Sequence, residues 1–461
     1  MTGVAPVRAL CVAGLASSVG KTTLTLALAA AYRRRGLRVR CAKVGPDFID
    51  PGFHAAVTGA PSCTLDSWML PPEALRRTFA RAGAGADLVL IEGMMGLFDG
   101  LDGRSEAGST AEVAKRLGVP VLLVVDASAQ VRSAGAVVLG AERFDPGLPL
   151  AGVVLNRVGG ERHQRWLRDA VASASRVPVL GAIPWRGAVG IPERHLGLVT
   201  AAEQRFPPDL FDRLADLAEE AIDLDACLGL ARSAVAPELP PPAVPVRTRL
   251  GVAQDLAFQF YYADVLEALR AAGAELVPWS PLADTVLPTV DALYLGGGYP
   301  EVHAADLAAN DRMRAAVRAF ALDGGAVYAE CGGLMYLAES LEDPDGAAHS
   351  MAGVLPIRVR MRPTRLALGY REVRLEAETL VGPAGTLLRG HEFHRSHLEA
   401  EPPVPTAYRV TDPASGETRA EGYCVRQTLA SYVHLHLGSR PGAAEALVDA
   451  CARGRPAKAL R

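Results

Sequence analysis

The chain reads as an α/β protein of two domains, each built on a largely parallel sheet. Three observations predict this. Apolar runs of strand length alternate with longer helix-compatible stretches in both halves. A glycine-rich turn follows the first strand and opens a helix. A proline-rich segment, Pro237 to Pro245, interrupts the alternation and reads as a stiff polyproline linker. The first domain is therefore placed at 1–232, the linker at 233–247 and the second domain at 248–461.

Strands are expected at about 7–13, 38–43, 87–92, 120–126, 151–156 and 178–183, followed by a leucine-spaced helix from about Ala201 to Ala231. In the second domain they are expected near 249–254, 274–278, 292–295 and 325–329. Between about 350 and 430 the segments become short and alternating, which predicts a mixed sheet there. The cluster Arg33-Arg34-Arg35 reads as the solvated end of the first helix, where cations suit the dipole.

Composition excludes several classes of function. With 461 residues the chain is too long for one core. No apolar run approaches the roughly 20 residues that cross a membrane, and the start lacks the regions of a signal peptide. The seven cysteines form no C-x-x-C pair, which points to a reducing cytoplasm. A formal net charge of -3 without a long basic run argues against a nucleic-acid partner.

Gly14-Leu15-Ala16-Ser17-Ser18-Val19-Gly20-Lys21-Thr22-Thr23 lies between a strand and an Ala/Leu-rich helix, the context of a phosphate-binding loop for ATP. Gly14, Ser17, Gly20 and Thr23 belong to the cradle, Lys21 would reach the outer phosphates and Thr22 would hold Mg2+. The loop is one residue longer than the common pattern. Three later strand ends carry polar groups towards the same crevice. Lys43-Val44-Gly45-Pro46-Asp47-Phe48-Ile49-Asp50 offers a lysine and two carboxylates. Glu92 ends a buried strand and is the expected magnesium ligand, with Asp47 as a further candidate. Asp99 and Asp50 are substrate or metal candidates, with a turn cap as the alternative. Asn156 ends another strand.

In the second half, Ala326 to Leu334 (AVYAECGGL) is an apolar strand running through Cys331 into a Gly-Gly turn and a helix. A thiol on such an elbow is a candidate nucleophile, its pKa expected to fall under the helix dipole and a nearby imidazole. Gly297 and Gly298, in the turn Gly296-Gly297-Gly298-Tyr299-Pro300-Glu301, join Gly332 as candidate oxyanion-hole amides. Ser431-Tyr432-Val433-His434-Leu435-His436 supplies the base, with His434 favoured and His436 as the alternative.

The elbow AECGGLMYL, the GGGYPE turn and the SYVHLH segment resemble the glutaminase domain of the corrinoid amidotransferases, a class I glutamine amidotransferase fold. The first half, with Ala16 where the partitioning ATPases carry a signature lysine, resembles the dethiobiotin-synthetase-like P-loop ligases. KVGPDFIDP, EGMMGLFDG, Pro192-Glu193-Arg194-His195-Leu196-Gly197-Leu198 and AECGGLMYL, in that order, resemble the family of cobyrinic or hydrogenobyrinic acid a,c-diamide synthases over about residues 7–440. The resemblance implies ATP- and glutamine-dependent amidation of the a and c carboxylates of a tetrapyrrole, by way of acyl phosphates, in cobalamin biosynthesis. It also implies that Asn156 reads adenine, that Lys43 joins Lys21 at the phosphates and that the chain forms a homodimer. Many glutaminases of the superfamily carry a glutamate two residues after the histidine. His436 stands there instead, so a Cys-His dyad is expected.

Related readings stay open: a nickel-sirohydrochlorin diamide synthase, a cobyric acid synthase, or a regulatory ATPase whose second domain senses glutamine. High Arg and Ala usage resembles that of proteobacterial homologues with the aerobic route, and that resemblance implies the metal-free ring as substrate. His391, His394 and His397 are read as histidines of a substrate-facing or interdomain loop, with a metal site as the alternative because 391 and 394 have a helix-compatible spacing.

Overall fold

The core strands of both units are runs of buried aliphatic side chains, and both sheets follow from that burial. A computed structural model describes residues 6–185, 207–233, 235–236, 244–362 and 366–453, together with the backbone of 193–194 and 197–198. The chain divides into two compact units, 1–240 and 241–461. Most of the proline run, together with Pro192, His195 and Leu196 of Pro192–Leu198, lies outside the described residues. Within the latter, β8 (Glu193–Arg194) pairs antiparallel with β9 (Gly197–Leu198).

In the first unit the order is β1 (Ala9–Gly14), α1 (Lys21–Arg34), β2 (Val39–Val44), α2 (Asp50–Thr58), β3 (Cys63–Leu65), α3 (Pro72–Gly83), β4 (Leu88–Glu92), α4 (Thr110–Leu117), β5 (Val121–Asp126), α5 (Ser133–Phe144), β6 (Leu150–Val158), α6 (Glu161–Ala174) and β7 (Val179–Pro184), then, beyond β8 and β9, α7 (Leu210–Ala221) and α8 (Leu224–Leu230). The strands form a parallel sheet in the order β3-β2-β4-β1-β5-β6-β7, with a hydrophobic core on each face. Parallel pairing places every strand's C-terminal end on one rim, so Gly14, Val44, Glu92, Asp126 and Asn156 share it.

Two expectations need correction here. The helix expected over Ala201–Ala231 is two helices within the described residues: Ile222 turns extended and bridges to Gly181 of β7, and Asp223 caps the next helix by accepting from Ala226 N. The arginine cluster is not merely solvated. Arg34 pairs with Asp216 and Glu219 and Arg35 with Asp225, which ties the end of α1 to α7 and α8.

The second unit runs β10 (Thr248–Ala253), α9 (Ala263–Ala271), β11 (Ala274–Trp279), β12 (Ala292–Leu295), α10 (Ala304–Ala309), α11 (Asp311–Leu322), β13 (Ala326–Glu330), α12 (Gly332–Leu337), β14 (Ser340–Glu342), β15 (Ala348–Ser350), β16 (Arg358–Met361), β17 (Ala367–Leu375), β18 (Leu387–His394), β19 (Ser396–Leu398), β20 (Thr406–Thr411), β21 (Thr418–Val425), β22 (Thr428–Ser431), β23 (His434–Leu435) and α13 (Ala443–Arg453). Its large sheet has the order β11-β10-β12-β13-β22-β21-β20-β17-β18-β23 and is mixed. The pairs from β11 to β22 are parallel and the rest antiparallel. Only Tyr432 and Val433 separate β22 from β23, although four strands lie between the two in the sheet. The antiparallel part must therefore curl back on itself, and that curl returns His434 to the neighbourhood of β13.

Candidate functional site

The first cluster sits on the rim of the parallel sheet. Gly20 closes the phosphate-type loop at φ 102°, a conformation glycine adopts freely, and a Cβ there would lie 2.2 Å from Asn156 Nδ2. Lys21 Nζ folds back over the loop and donates to Ala16 O at 2.9 Å and Met95 O at 2.6 Å. Burial, then the charge of Lys43, pulls its pKa down to about 8. Ser17 is exposed on the loop and Thr23 half-buried in the first turn of α1.

Behind the loop lies a buried charge network. Thr22 Oγ1 donates to Glu92 Oε1 at 2.6 Å. Lys43 Nζ donates to the same oxygen at 2.9 Å, to Asp50 Oδ2 at 2.5 Å and to Gly93 O at 3.2 Å. His54 Nε2 lies 2.8 Å from Glu92 Oε2, and its Nδ1 lies 3.0 Å from Ser62 Oγ. Burial works against the charge on Glu92, but Lys43 and His54 outweigh it and hold the carboxyl well below its usual range. Burial likewise opposes the charge on Lys43, and Asp50, Glu92 and Asp47 outweigh it upward. Asp50 is pushed up by burial and by its neighbouring carboxylates. Its Oδ1 is buried and has no hydrogen-bond partner. An unsatisfied, buried oxygen beside a hydroxyl and a second carboxylate is a hard-oxygen donor set that suits magnesium.

The structure redistributes the roles expected of the other residues. Asp47 Oδ1 caps the start of α2, accepting from Ile49 N at 2.7 Å and Asp50 N at 3.1 Å, and its Oδ2 lies 3.7 Å from Lys43 Nζ. Asp50, not Asp47, keeps the uncommitted oxygen. Asp99 Oδ2 accepts from Gly96 N at 2.9 Å, the turn cap weighed as the alternative. Asn156 does not present a bare amide to the crevice: Nδ2 donates to Val19 O at 2.8 Å and Oδ1 accepts from Arg157 N. It pins the phosphate-type loop. His54 escaped the sequence reading. The available signal was its position four residues after Asp50, on the same face of α2.

The second cluster surrounds Cys331. The chain turns there at φ 46° and ψ −100°, a strained geometry for a residue with a Cβ, between β13 and the one-and-a-half turns of α12. Backbone bonds fix the elbow: Cys331 N donates to Ser431 O at 2.7 Å and Gly333 N to Gly296 O at 2.9 Å. A Cβ on Gly332 would lie 3.1 Å from Gly298 N, and one on Gly297 would lie 2.4 Å from His434 Cε1 and 3.3 Å from its Nε2. The glycine turn thus lies against both the elbow and the imidazole.

The thiol departs from expectation. Cys331 is 5% exposed, and burial, then the Glu301 carboxyl, pushes its pKa up, against which the Gly332 N–H bond is too weak. The six-residue helix contributes too little field to reverse this. Glu301 itself is pushed up to about 7 by burial.

His434 is buried, and burial followed by His394 pulls its pKa down to about 3. His391 stacks on it with ring centroids 5.1 Å apart, and the His391 Nδ1 lies 2.7 Å from Tyr262 Oη. His436 follows the end of β23, packs its ring against Tyr262 and stands 2.8 Å from Asp264. The three histidines read as a loop group lie on strands instead, β18 and β19, where residues three apart face opposite sides. His394 stacks on Tyr432 and His397 is paired across from Arg360. Among the described residues no group of three His, Cys, Asp or Glu could hold a metal ion. None of their helices is long and apolar enough to cross a membrane. Glu330, absent from the residues picked by sequence, accepts from Tyr328 Oη at 2.6 Å, Tyr294 Oη at 2.9 Å and Leu435 N at 2.9 Å. Its signal was a lone acid ending an apolar strand.

Comparison with known proteins agrees with this two-site geometry. Residues 10–199 match the CobQ/CobB/MinD/ParA nucleotide binding domain and residues 249–442 the CobB/CobQ-like glutamine amidotransferase domain. A cobyrinate a,c-diamide synthase of Syntrophotalea carbinolica is 49% identical over 452 residues, covering 96% of this chain and 98% of that protein. The enzyme of the same name from Salmonella typhimurium is 42% identical over 440 residues, covering 94% and 96%, and that from Dehalococcoides mccartyi strain CBDB1 is 42% identical over 448 residues, again covering 94% and 96%. A phosphate-type loop backed by a buried lysine–carboxylate network and an elbow cysteine beside an imidazole, in an order matched along nearly the whole length of these relatives, establish that the chain belongs to the cobyrinate a,c-diamide synthase family.

Proposed function

We propose that this chain is a glutamine-dependent ligase that amidates the a- and c-side-chain carboxylates of cobyrinic acid at the expense of ATP. The observation that carries the reading is the presence, in one chain, of Lys21 folded over a phosphate-type loop and Cys331 on an elbow whose glycine turn also meets His434.

A carboxylate does not react with ammonia at neutral pH, because its carbon is electron-rich and its leaving group poor. Transfer of the γ-phosphoryl group of ATP to the acceptor carboxylate removes both obstacles. Lys21 exchanges its carbonyl partners for phosphate oxygens and offsets the charge that develops on them. Lys43 sits one layer behind, holding Glu92 and Asp50 in place. Magnesium, held by Thr22 and Asp50 with Glu92 behind them, would neutralise phosphate charge when bound.

In the other unit Cys331 attacks the side-chain amide carbon of glutamine. The thiol proton passes to His434 and on to the leaving nitrogen, so that ammonia and a thioester form. Water then releases glutamate and restores the thiol. N–H groups at Gly298 and Gly332 face the oxyanion of each tetrahedral intermediate. The ammonia displaces phosphate from the acyl phosphate, and the cycle runs once for each side chain. The relatives' names favour cobyrinate over the metal-free ring suggested by Arg and Ala usage. The two rings carry the same outer carboxylates.

The test is product mass spectrometry after incubation with ATP, magnesium and glutamine, with cobyrinic acid, hydrogenobyrinic acid and nickel-sirohydrochlorin in parallel. Two carboxylate-to-amide exchanges on cobyrinic acid are expected. Glutamine hydrolysis without amidation of any ring would overturn the acceptor and leave the glutaminase. Size-exclusion chromatography with light scattering in the same buffer tests the homodimer.

A further inference from the structure

The residue two positions after the base does not supply a carboxylate in this chain, but another element does. Glu330 ends β13 directly before the elbow thiol, in a strand that is otherwise apolar, and is 3% exposed. Burying a carboxyl is costly, and an aliphatic side chain would fill the place more cheaply. Every donor on it is neutral: Oε1 takes the Tyr328 hydroxyl and Leu435 N, and Oε2 takes the Tyr294 hydroxyl. Oε2 also stands 3.9 Å from His434 Nδ1. Among the described residues no lysine or arginine is paired with Glu330, so this carboxyl is not there to balance a cation.

The arrangement has a direction. Leu435 N belongs to the peptide that follows His434, so Glu330 holds the backbone on which the imidazole stands. The other edge of the ring, Cε1 and Nε2, faces Gly297, whose neighbour Gly298 packs on Gly332 beside the thiol. Carboxyl, imidazole and elbow are therefore met in that order. His436, where the superfamily places its glutamate, is engaged with Asp264 and Tyr262.

We propose that Glu330 is the positioning residue of the glutaminase site, keeping the proton of His434 on Nδ1 so that Nε2 takes the proton of Cys331. The assignment rests on the amidotransferase reading above. During attack the Cys331 proton moves to Nε2, the imidazolium so formed is stabilised by the carboxylate 3.9 Å away, and the proton leaves on ammonia. Glu330 gains and loses none. The 3.9 Å separation is longer than a hydrogen bond and shortens to one when glutamine fills the site, as catalytic contacts commonly do.

Burial pushes Glu330 up to about 7, with Tyr328, Leu435 N, Tyr294 and His436 opposing the rise. The glutaminase rate should therefore fall as the pH drops below about 7 and the carboxylate is lost. The groups facing Glu330 are Tyr261, Tyr294, Tyr328 and Tyr408, all held above their usual pKa, the Cys331 thiol, likewise raised, and His434 and His436. Glu301, also near 7, is the rival source of that acid limb.

The experiment is the pH profile of glutamine hydrolysis for the full-length protein and its Glu330→Gln, Tyr294→Phe and Glu301→Gln variants, each checked by thermal melting. For Glu330→Gln the expected result is kcat lowered about 100-fold, with KM for glutamine little changed and the acid limb absent. In Tyr294→Phe, a conservative change that removes one donor, the limb should move to higher pH. Should Glu330→Gln not fold, the Tyr294→Phe shift decides alone. A Glu330→Gln kcat within twofold of the parent, or a limb that only Glu301→Gln removes, would overturn the assignment. A parent protein that does not hydrolyse glutamine would instead refute the amidotransferase reading.

Discussion

Thr22 and Glu92, 70 residues apart, meet at 2.6 Å: the hydroxyl of the first helical turn donates to the carboxylate that ends β4. Glu92 also joins Lys43 and His54, so it links three segments. Removing it takes from the buried Lys43 one of its two close carboxylates, leaving Asp50, and breaks the contact with His54. We expect Glu92→Ala to lose about 3–5 kcal/mol of stability, read as a fall in the urea midpoint, whereas Glu92→Gln should lose less and still abolish amidation. Because the folded-state pKa of Glu92 is depressed, its contribution is present above the unfolded carboxylate range near pH 4.3 and is lost as the pH falls through the folded value. A parent and a Glu92→Gln protein with identical acid-unfolding curves would contradict this.

Lys21, pulled down to about 8, is about half neutral in the nucleotide-free protein at pH 8. Phosphate charge would restore its proton. ATP binding should then take up a fraction of a proton at pH 8 and more at pH 8.5, measured by calorimetry in buffers of different ionisation enthalpy. Lys21→Met should bind more weakly and without uptake. Equal uptake in both proteins would place the titrating group elsewhere.

Gly332 and Gly333 separate function from folding. A Cβ on Gly333 would lie 2.2 Å from the Leu295 carbonyl, which cannot yield without moving the strand, so Gly333→Ala should cost about 1–3 kcal/mol of stability. On Gly332 the nearest atoms would be Gly298 N and Pro300 Cδ at 3.1 Å, a tight contact relieved by a shift of a few tenths of an ångström, far milder than at Gly333 and directly in the proposed oxyanion space. Gly332→Ala should melt near the parent and lose about 100-fold in glutaminase kcat. The reverse ranking in paired melting and kinetic measurements would refute the placement.

Cys331, raised by burial, should be a slow nucleophile towards iodoacetamide in the free protein at pH 7, with a rate still climbing past pH 9. Peptide-resolved mass spectrometry distinguishes it from the partly exposed Cys63 and Cys424. A plateau below pH 7.5 would show a thiol already activated before glutamine arrives.

The residues that make the candidate sites fall into two groups by legibility. Lys21, Thr22, Glu92 and Cys331 were readable because each stands at a strand end or in a turn whose local spacing implies its geometry. In the first unit the parallel sheet has only one rim on which to gather Lys21, Thr22 and Glu92. The hydrogen-bond partners of Asn156 and Asp99 and the strand placement of the three histidines were not readable, because a side chain's partner, here Val19 O, Gly96 N or a neighbouring strand, is not written in its own segment.

Alternating strands, the glycine loop and the elbow are local properties of the chain, encoded in short-range sterics and hydrophobic period, and they were sufficient for the fold class and the principal motifs. The partnership of Glu330 with His434 is not local. It exists because the antiparallel half of the second sheet curls until β23, joined to β22 by two residues, lies beside β13 again. Strand order and twist decide that meeting, and only long-range packing determines them.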